Sequence, residues 1–171
     1  MMGSGKSTIG RRLGSRTGWP YHDNDELLQR EHGLTARELV AVEGEAGMRR
    51  AEARALRLGL TLPEPCIVGA PAGTITDAEN RALLTSAALA VWLRAAPETL
   101  AARAAGVEHR PWLQANAEDW MRATLVERGP LYSSVAVHEV DTDDLSPDAT
   151  VEEILAWLQT VAACGRWLKD S

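Results

Sequence analysis

The sequence predicts an α/β fold built around a parallel sheet. Helical and extended patterns alternate along the 171 residues, which is typical of repeated strand–helix units. The extended stretches are short apolar runs bounded by turn residues, as in buried strands. A glycine-rich segment, GSGKST at positions 3–8, leads directly into the first helical pattern. Together these observations favour an α/β domain with a phosphate site at its edge.

The length of the chain suits one domain spanning residues 1–171. Hydrophobic residues make up 45% and charged residues 25%, an ordinary globular composition. The net charge of −6 argues against general binding to nucleic acid or anionic membranes. Because we find neither a membrane-spanning run nor a signal peptide, we expect a cytoplasmic protein without a membrane partner.

The element boundaries follow from periodicity and from capping residues. Gly18 ends the first helix, and Thr35 with Glu38 forms a capping box. We predict helices at 7–16, 25–31, 35–43, 45–60, 77–86, 97–104, 118–128 and 151–163. We predict strands at 19–23, 65–68, 87–93 and 135–140. The irregular polar stretch 105–117 is a candidate lid.

The glycine-rich segment matches the second half of a phosphate-binding loop, whose backbone N–H groups surround a phosphate at a helix N-terminus. Lys6 is expected to reach the β- and γ-phosphates, Ser7 to bind Mg²⁺, and Thr8 to bond the α-phosphate. The alternative is a simple turn that caps a helix. The residues assigned to the nucleotide here are Gly3, Ser4, Gly5, Lys6, Ser7 and Thr8.

A phosphate-binding loop ordinarily follows a buried strand, because the end of that strand aims the loop at its ligand. In this sequence the motif starts beside Met1, with no strand ahead of it. We therefore expect an N-terminally shortened chain that lacks its first strand and loop entry, about 8–12 residues.

Two carboxylates follow the second predicted strand, at Asp23 and Asp25. At a strand end, residues two apart can serve a magnesium ion and a substrate hydroxyl. The alternative is that Asp23 or Asn24 only caps the next helix, which is the commoner use of such residues.

Nine short motifs complete the pattern: GSGKST, DND, GEAGMRRAE, GAPAG, VWL, PETL, RPWL, RGPLY and VDTD. Their order and spacing resemble the shikimate kinase family over nearly the whole chain. The resemblance implies a P-loop nucleoside-kinase-like, three-layer α/β/α fold whose first strand is the missing one. It implies a helical substrate-binding region at about 24–60, a lid at about 105–117, and a monomer. The implied activity is phosphorylation of the 3-hydroxyl of shikimate by ATP with Mg²⁺, in aromatic amino-acid biosynthesis.

The resemblance also implies roles on the acceptor side. Asp25 resembles the residue that binds substrate hydroxyls and accepts the proton of the attacking one. Asp23 resembles the residue that holds Mg²⁺ through water. Arg49 and Arg128 resemble the pair that binds the shikimate carboxylate, for which guanidinium forks are well suited. Gly73 is the remaining glycine of a substrate-binding triplet.

On the nucleotide side, Arg110 resembles the lid arginine that moves onto the transferring phosphate, where it acts with Lys6. Arg103 and Pro147 match positions that flank the adenine. For Arg103 the alternative, which has equal weight, is a solvent-exposed helix residue without a role in binding.

The sequence departs from the family at GAPAG, where Pro71 and Ala72 replace the first two glycines of the triplet. Proline has no N–H, and alanine disfavours positive φ. Loss of one substrate hydrogen bond costs about 1–3 kcal/mol. Because both arginines and Asp25 remain, shikimate is still the expected acceptor. The alternatives are another small hydroxylated acid as the acceptor, or a non-catalytic nucleotide-binding relative.

Overall fold

A computed structural model describes residues 1–63, 65–105 and 116–163. Within these ranges the helices are α1 (Lys6–Thr17), α2 (Asn24–His32), α3 (Ala36–Leu60), α4 (Ala78–Ala87), α5 (Pro97–Ala104), α6 (Ala117–Val135) and α7 (Pro147–Ala163). The strands are β1 (Tyr21–Asp23), β2 (Ile67–Gly69), β3 (Val91–Arg94) and β4 (His138–Asp141). A 3₁₀ turn follows β2 at Thr74–Thr76.

The described strands form two parallel pairs, which confirms the α/β class. β1 pairs with β2, with Tyr21 opposite Ile67, and β3 pairs with β4, with Val91 opposite His138. No pairing joins β2 to β3 in the described residues. A cavity of about 590 Å³ has both strands in its wall, and Ile9, Leu13 and Leu158 also line it. The prediction of a further strand ahead of the phosphate loop stays a prediction.

Each predicted strand is present, but each starts later than predicted. Helix α4 continues to Ala87 and α6 to Val135, so helices take the first residues of two predicted strands. Only Ala87 of the alanine-rich run after position 86 joins α4, since Ala88 already has an extended backbone.

Helix α6 is the largest correction to the predicted elements. It was expected to end at Arg128 but continues through Pro130 to Val135. Proline removes its own N–H from the helix ladder. Pro130 lies on the exposed side of α6, where water can satisfy the carbonyl that its ring leaves unbonded. The RGPLY motif is therefore helical.

Two other helices differ in extent. The predicted helices 35–43 and 45–60 join as α3. This helix is kinked at Gly44, between the two predicted helices, where φ is 71° and ψ is −178°. Helix α7 starts at Pro147 instead of position 151, since the Ser146 hydroxyl accepts a hydrogen bond from the Ala149 N–H at 3.1 Å. The Thr35–Glu38 capping box and the Gly18 cap are both confirmed.

Two apolar cores support the functional edge. One joins α1 and α7 to the β3–β4 pair through Ile9, Leu13, Leu93, Val140, Val151 and Ile154. The other joins α2 to α3 through Leu27, Leu28, Leu39, Met48, Ala51 and Ala55. No helix of the described ranges is both long and apolar enough to cross a membrane.

Candidate active site

The phosphate loop has the backbone that its glycines predict. Gly3 and Gly5 have φ values of 75° and 84°, a left-handed conformation that side chains rarely adopt. A Cβ atom at Gly3 would lie 2.5 Å from the Leu100 carbonyl oxygen. Gly5 precedes α1 without a side-chain cap, so the first N–H groups of the helix suit an anion.

Positive charges gather around this loop. The Lys6 Nζ donates to the Met1 carbonyl at 2.7 Å, and the buried Ser4 hydroxyl donates to the same oxygen at 2.9 Å. Burial, followed by the charges of Lys6 and Arg128, lowers the pKa of the Met1 amino group to about 4. The Tyr132 hydroxyl of α6 lies 3.8 Å from the Met1 sulfur, so α6 also reaches this loop.

Asp23 caps α2, as one of its two predicted uses requires, and its other carboxylate oxygen faces Ser7. Its Oδ1 accepts from the Asp25 N–H at 3.0 Å and caps α2. Its Oδ2 accepts from the Ser7 hydroxyl at 2.8 Å and from the Tyr21 hydroxyl at 3.0 Å. A hydroxyl and a carboxylate oxygen are ligands that Mg²⁺ prefers, so Ser7 and Asp23 fit the predicted metal site. Asp25 is exposed in the first turn of α2, and Thr8 is exposed in the first turn of α1.

Tyr21 was missed at the sequence level. Its ring lies against Gly10 and Gly69, where added Cβ atoms would come within 2.2 Å of the ring and 2.5 Å of the hydroxyl. Burial is the main cause that raises its pKa to about 12. The available signal was the strand period, because residues 21 and 23 lie on the same side of a strand.

Arg49 is held by two carboxylates on its own helix. Its Nη1 lies 2.8 Å from the buried Glu52, and its Nη2 lies 3.2 Å from Glu45. Burial opposes the positive charge, but the two carboxylates outweigh it and raise the pKa of Arg49. Glu52 was also missed, although its spacing of three residues from Arg49 on a helix was visible.

The GAPAG turn packs directly on Arg49. A Cβ atom at Gly73 would lie 2.0 Å from the Arg49 Nη1, so this glycine lets the guanidinium approach the backbone. No non-glycine residue of the described chain has a positive φ. The expected conflict between Ala72 and a left-handed backbone is therefore absent.

Arg128 has an unused donor. Its side chain is 19% exposed, and its Nε is buried without a hydrogen-bond partner in the described part of the chain. The Nε lies 3.8 Å from the carboxylate of Glu127. A buried guanidinium N–H without a partner is costly unless an anion meets it.

Tyr132 joins these groups and was not assigned a role from the sequence. Its hydroxyl donates to the Ala72 carbonyl at 2.9 Å, and its ring centroid lies 5.3 Å from that of Trp92. Burial raises its pKa, whereas the charges of Arg128 and Arg49 oppose the shift. Tyr132 therefore lies within electrostatic range of both arginines.

Of the two residues predicted to flank the adenine, Arg103 contacts the segment that precedes Pro147. The Arg103 guanidinium donates to the Thr142 hydroxyl at 2.9 Å and to its carbonyl at 2.6 Å. This ties α5 to the loop that leads to Pro147, so Arg103 is not simply a solvated residue. Arg110 and most of the candidate lid lie outside the described residues.

Comparison with known proteins places this site in one family. A family model described as shikimate kinase matches residues 2–159. A shikimate kinase of Symbiobacterium thermophilum is 35% identical and covers 93% of this chain and 92% of its own. One from Caulobacter vibrioides is also 35% identical, with 95% of this chain and 81% of its own covered.

Solved structures agree with the sequence relatives. The shikimate kinase of Acinetobacter baumannii in complex with shikimate has a TM-score of 0.86 at 31% identity, covering 93% of this chain and 89% of its own. The Aquifex aeolicus enzyme has a TM-score of 0.81 at 28% identity, covering 95% and 94%. By its fold, its site and these relatives, the chain belongs to the shikimate kinase family.

Proposed function

We propose that this protein transfers the γ-phosphoryl group of ATP to the 3-hydroxyl of shikimate. The observation that carries the proposal is that the phosphate loop and the two arginines lie around one region: the Lys6 Nζ is 2.7 Å from the Met1 carbonyl, and the hydroxyl of Tyr132, one helical turn after Arg128, is 3.8 Å from the Met1 sulfur. Arg49 packs on Gly73, next to the Ala72 carbonyl that Tyr132 binds. One end of this cationic region is a phosphate loop, and the other is a pair of guanidinium groups suited to a carboxylate. ATP and an acidic alcohol are complementary to the two ends.

In the proposed reaction, the 3-hydroxyl oxygen forms a bond to the γ-phosphorus while the bond from that phosphorus to the ADP oxygen breaks. The hydroxyl proton passes to the carboxylate of Asp25, and ADP leaves with the bridging oxygen. Lys6 neutralises charge on the β- and γ-phosphates. Arg49 and Arg128 hold the substrate carboxylate, with Gly73 beside it, so that the hydroxyl faces the nucleotide.

We assign the metal site to Ser7 and Asp23, whose oxygens are already within hydrogen-bond distance. Mg²⁺ bound there supplies charge neutralisation across the phosphates. The loop residues Gly3, Ser4, Gly5 and Thr8 bind the phosphates, and Arg103 with Pro147 flanks the adenine. We assign substrate binding to α2 and α3, and phosphate contact during transfer to Arg110 in a lid at 105–117.

The direct test is ADP release from ATP and Mg²⁺, measured with and without shikimate. We expect release that depends strongly on shikimate and stops when a chelator removes Mg²⁺. A protein that binds ATP but releases ADP no faster with shikimate would contradict the proposal.

Lys6→Ala tests the phosphate site. We expect kcat to fall at least about 100-fold, because a cation on the transferring phosphate stabilises the transition state. Arg12→Ala is the matched control: Arg12 lies on the same helix but pairs with Asp148 at the surface. We expect it to change kcat less than about twofold. Near-normal turnover by Lys6→Ala would refute the assignment of the loop.

The Pro71–Ala72 replacement favours a second acceptor, another small hydroxylated acid. A panel of such acids in the same assay separates the two, since the true acceptor gives the highest kcat/KM. Binding of ATP without turnover by any acid would instead support a non-catalytic relative.

We further propose that the protein acts as a monomer in the cytoplasm, without a nucleic-acid partner. The net charge of −6 supports the last point. Size-exclusion chromatography with light scattering tests the oligomeric state, and a dimer mass would contradict it.

A further inference from the structure

Three successive carbonyl groups of the GAPAG turn each accept a hydrogen bond from a hydroxyl. Pro71 accepts from Thr74 at 2.7 Å and Gly73 accepts from Thr76 at 2.9 Å, both within the turn itself. The carbonyl between them, at Ala72, accepts from Tyr132 at 2.9 Å, a residue 60 positions away. The first and third bonds shape the turn, whereas the second connects it to α6.

The tyrosine that makes this connection is held firmly. Its ring packs at 30° on Trp92, which belongs to β3, and the residue lies one helical turn after Arg128. Residues four apart lie on the same helix face. A displacement of Tyr132 relative to the turn would therefore be shared by Arg128.

The other side of the turn is held equally closely. Gly73 follows the bonded carbonyl and leaves no room for a Cβ atom beside the Arg49 guanidinium. Arg49 is in turn oriented by the buried Glu52 at 2.8 Å. A continuous series of contacts thus runs from Arg128 through Tyr132 and the turn to Arg49.

We propose that Tyr132 is a positioning residue that sets the separation of Arg49 and Arg128, and so determines specificity for a carboxylate. This inference rests on the proposed function, because it assigns the two arginines to the acid substrate. The hydroxyl acts on the substrate through the backbone of the turn, which explains how a turn with Pro71 and Ala72 keeps a defined place beside the arginines.

Tyr132→Phe tests the proposal because it removes the hydroxyl and keeps the ring on Trp92. The Ala72 carbonyl then lacks its hydrogen-bond partner. A shift of the turn would displace the Arg49 guanidinium, which packs on Gly73. We expect KM for shikimate to rise about 5- to 100-fold, with KM for ATP within twofold of the original. Thr76→Val is the matched control, since it removes a hydroxyl from the adjacent carbonyl and leaves the Tyr132 hydrogen bond in place. We expect that variant to change either KM less than about threefold.

A second measurement separates positioning from general loss of structure. Binding of shikimate and of its methyl ester is compared by calorimetry, for the original protein and for Tyr132→Phe. A positioning role predicts that the preference for the acid over the ester falls at least about fivefold in the variant. A merely structural role would weaken both ligands equally and leave their ratio unchanged.

The outcomes separate a failure of the proposed function from a failure of the role proposed for Tyr132. An original protein without shikimate-dependent ADP release would refute the proposed function and this inference with it. An active original protein with an unchanged shikimate KM in Tyr132→Phe would overturn the inference alone. Equal increases of both KM values, with an unchanged acid-to-ester ratio, would also overturn it.

Discussion

Among the single residues of the site, Asp23 has both carboxylate oxygens in use. One caps α2 through the Asp25 N–H, and the other accepts from Ser7 and Tyr21. The cap fixes the side-chain torsion, so the second oxygen stays beside the α1 hydroxyl without further support. A structural role and a metal-binding role are therefore compatible at one residue, because a carboxylate has about four acceptor positions.

The neighbouring residues Arg49 and Arg50 provide a test variant and its matched control. Arg49 packs on Gly73, whereas Arg50 is exposed and lies 3.6 Å from Glu43. We expect Arg49→Ala to raise KM for shikimate at least about 30-fold, because a charged hydrogen bond contributes about 1.5–3 kcal/mol and two can form. KM for ATP should change little. Arg50→Ala should leave both constants within twofold, and equal weakening of acid and ATP by Arg49→Ala would argue against a carboxylate site.

The two tyrosines of the chain give a prediction for alkaline pH. Burial raises the pKa of Tyr21 to about 12 and also raises that of Tyr132. Absorbance of phenolate in the native protein should therefore appear well above pH 10, and should return to about 10 after denaturation. Since the folded pKa values exceed the unfolded ones, this stabilisation is present below pH 10 and is lost as pH rises toward 12. A native titration centred at pH 10 would contradict the burial of both rings.

At the scale of elements, α6 and the GAPAG turn define the acceptor site together. The continuation of α6 beyond Arg128 brings Tyr132 onto the same rigid element as the arginine. Had the helix ended before Gly129, the two side chains would lie on separate segments. The predicted helix end was wrong because a Gly–Pro pair usually stops a helix, and only the exposed location of Pro130 permits it to continue.

Gly73→Ala tests the close approach of the turn and α3. The new Cβ atom would meet the Arg49 Nη1 at 2.0 Å, so the guanidinium has to move. We expect KM for shikimate to rise about 10-fold or more, with a small change in the melting temperature. Gly129→Ala is the control, because its Cβ would approach only Trp92, at 3.9 Å. In a helix interior this change should add about 0.5–1 kcal/mol of stability and leave KM unchanged. Equal KM values for the two variants would refute the contact.

At the scale of the whole molecule, the cavity beside β2 and β3 dominates the packing. It has a volume of about 590 Å³, and most of its lining is aliphatic or aromatic. The β1–β2 and β3–β4 pairs are parallel within themselves, and each has a strand in the cavity wall. Apolar walls around a large space forfeit dispersion contacts, so filling this space with apolar side chains should stabilise the fold.

An N-terminal extension designed to fill the cavity tests whether the space accepts a strand. About five apolar β-branched residues joined ahead of Met1 are long enough for a strand and should pair with β2 and β3. One buried aliphatic side chain contributes about 1.5–3 kcal/mol, and 1 kcal/mol shifts the melting temperature by about 2–4 °C in a domain of this size. We therefore expect a rise of at least about 5 °C by calorimetry. A glycine–serine extension of equal length is the control, and equal melting temperatures would show that the space does not accept a strand.

Much of the fold and of the candidate site could be predicted from local pattern. The capping box at Thr35, the left-handed Gly18 and the cap of α2 by Asp23 each depend on neighbours within a few residues. The roles of Glu52 and Tyr132 were not predicted, because each role depends on a partner that the residue type does not reveal. Glu52 acts only through the rotamer of Arg49, and Tyr132 only through a carbonyl 60 residues away.

The α/β class and the phosphate loop follow from the sequence alone, because they depend on periodicity and on side-chain chemistry at fixed spacing, whereas Arg49 and Arg128 were assigned from the resemblance to a family. The folded structure was needed to show that Pro71 and Ala72 are accommodated without a left-handed backbone, and that the buried Arg128 Nε has no hydrogen-bond partner among the described residues. Those outcomes depend on how α3, α6 and the turn pack against one another. Packing of distant elements is a property of the folded chain that no local pattern contains.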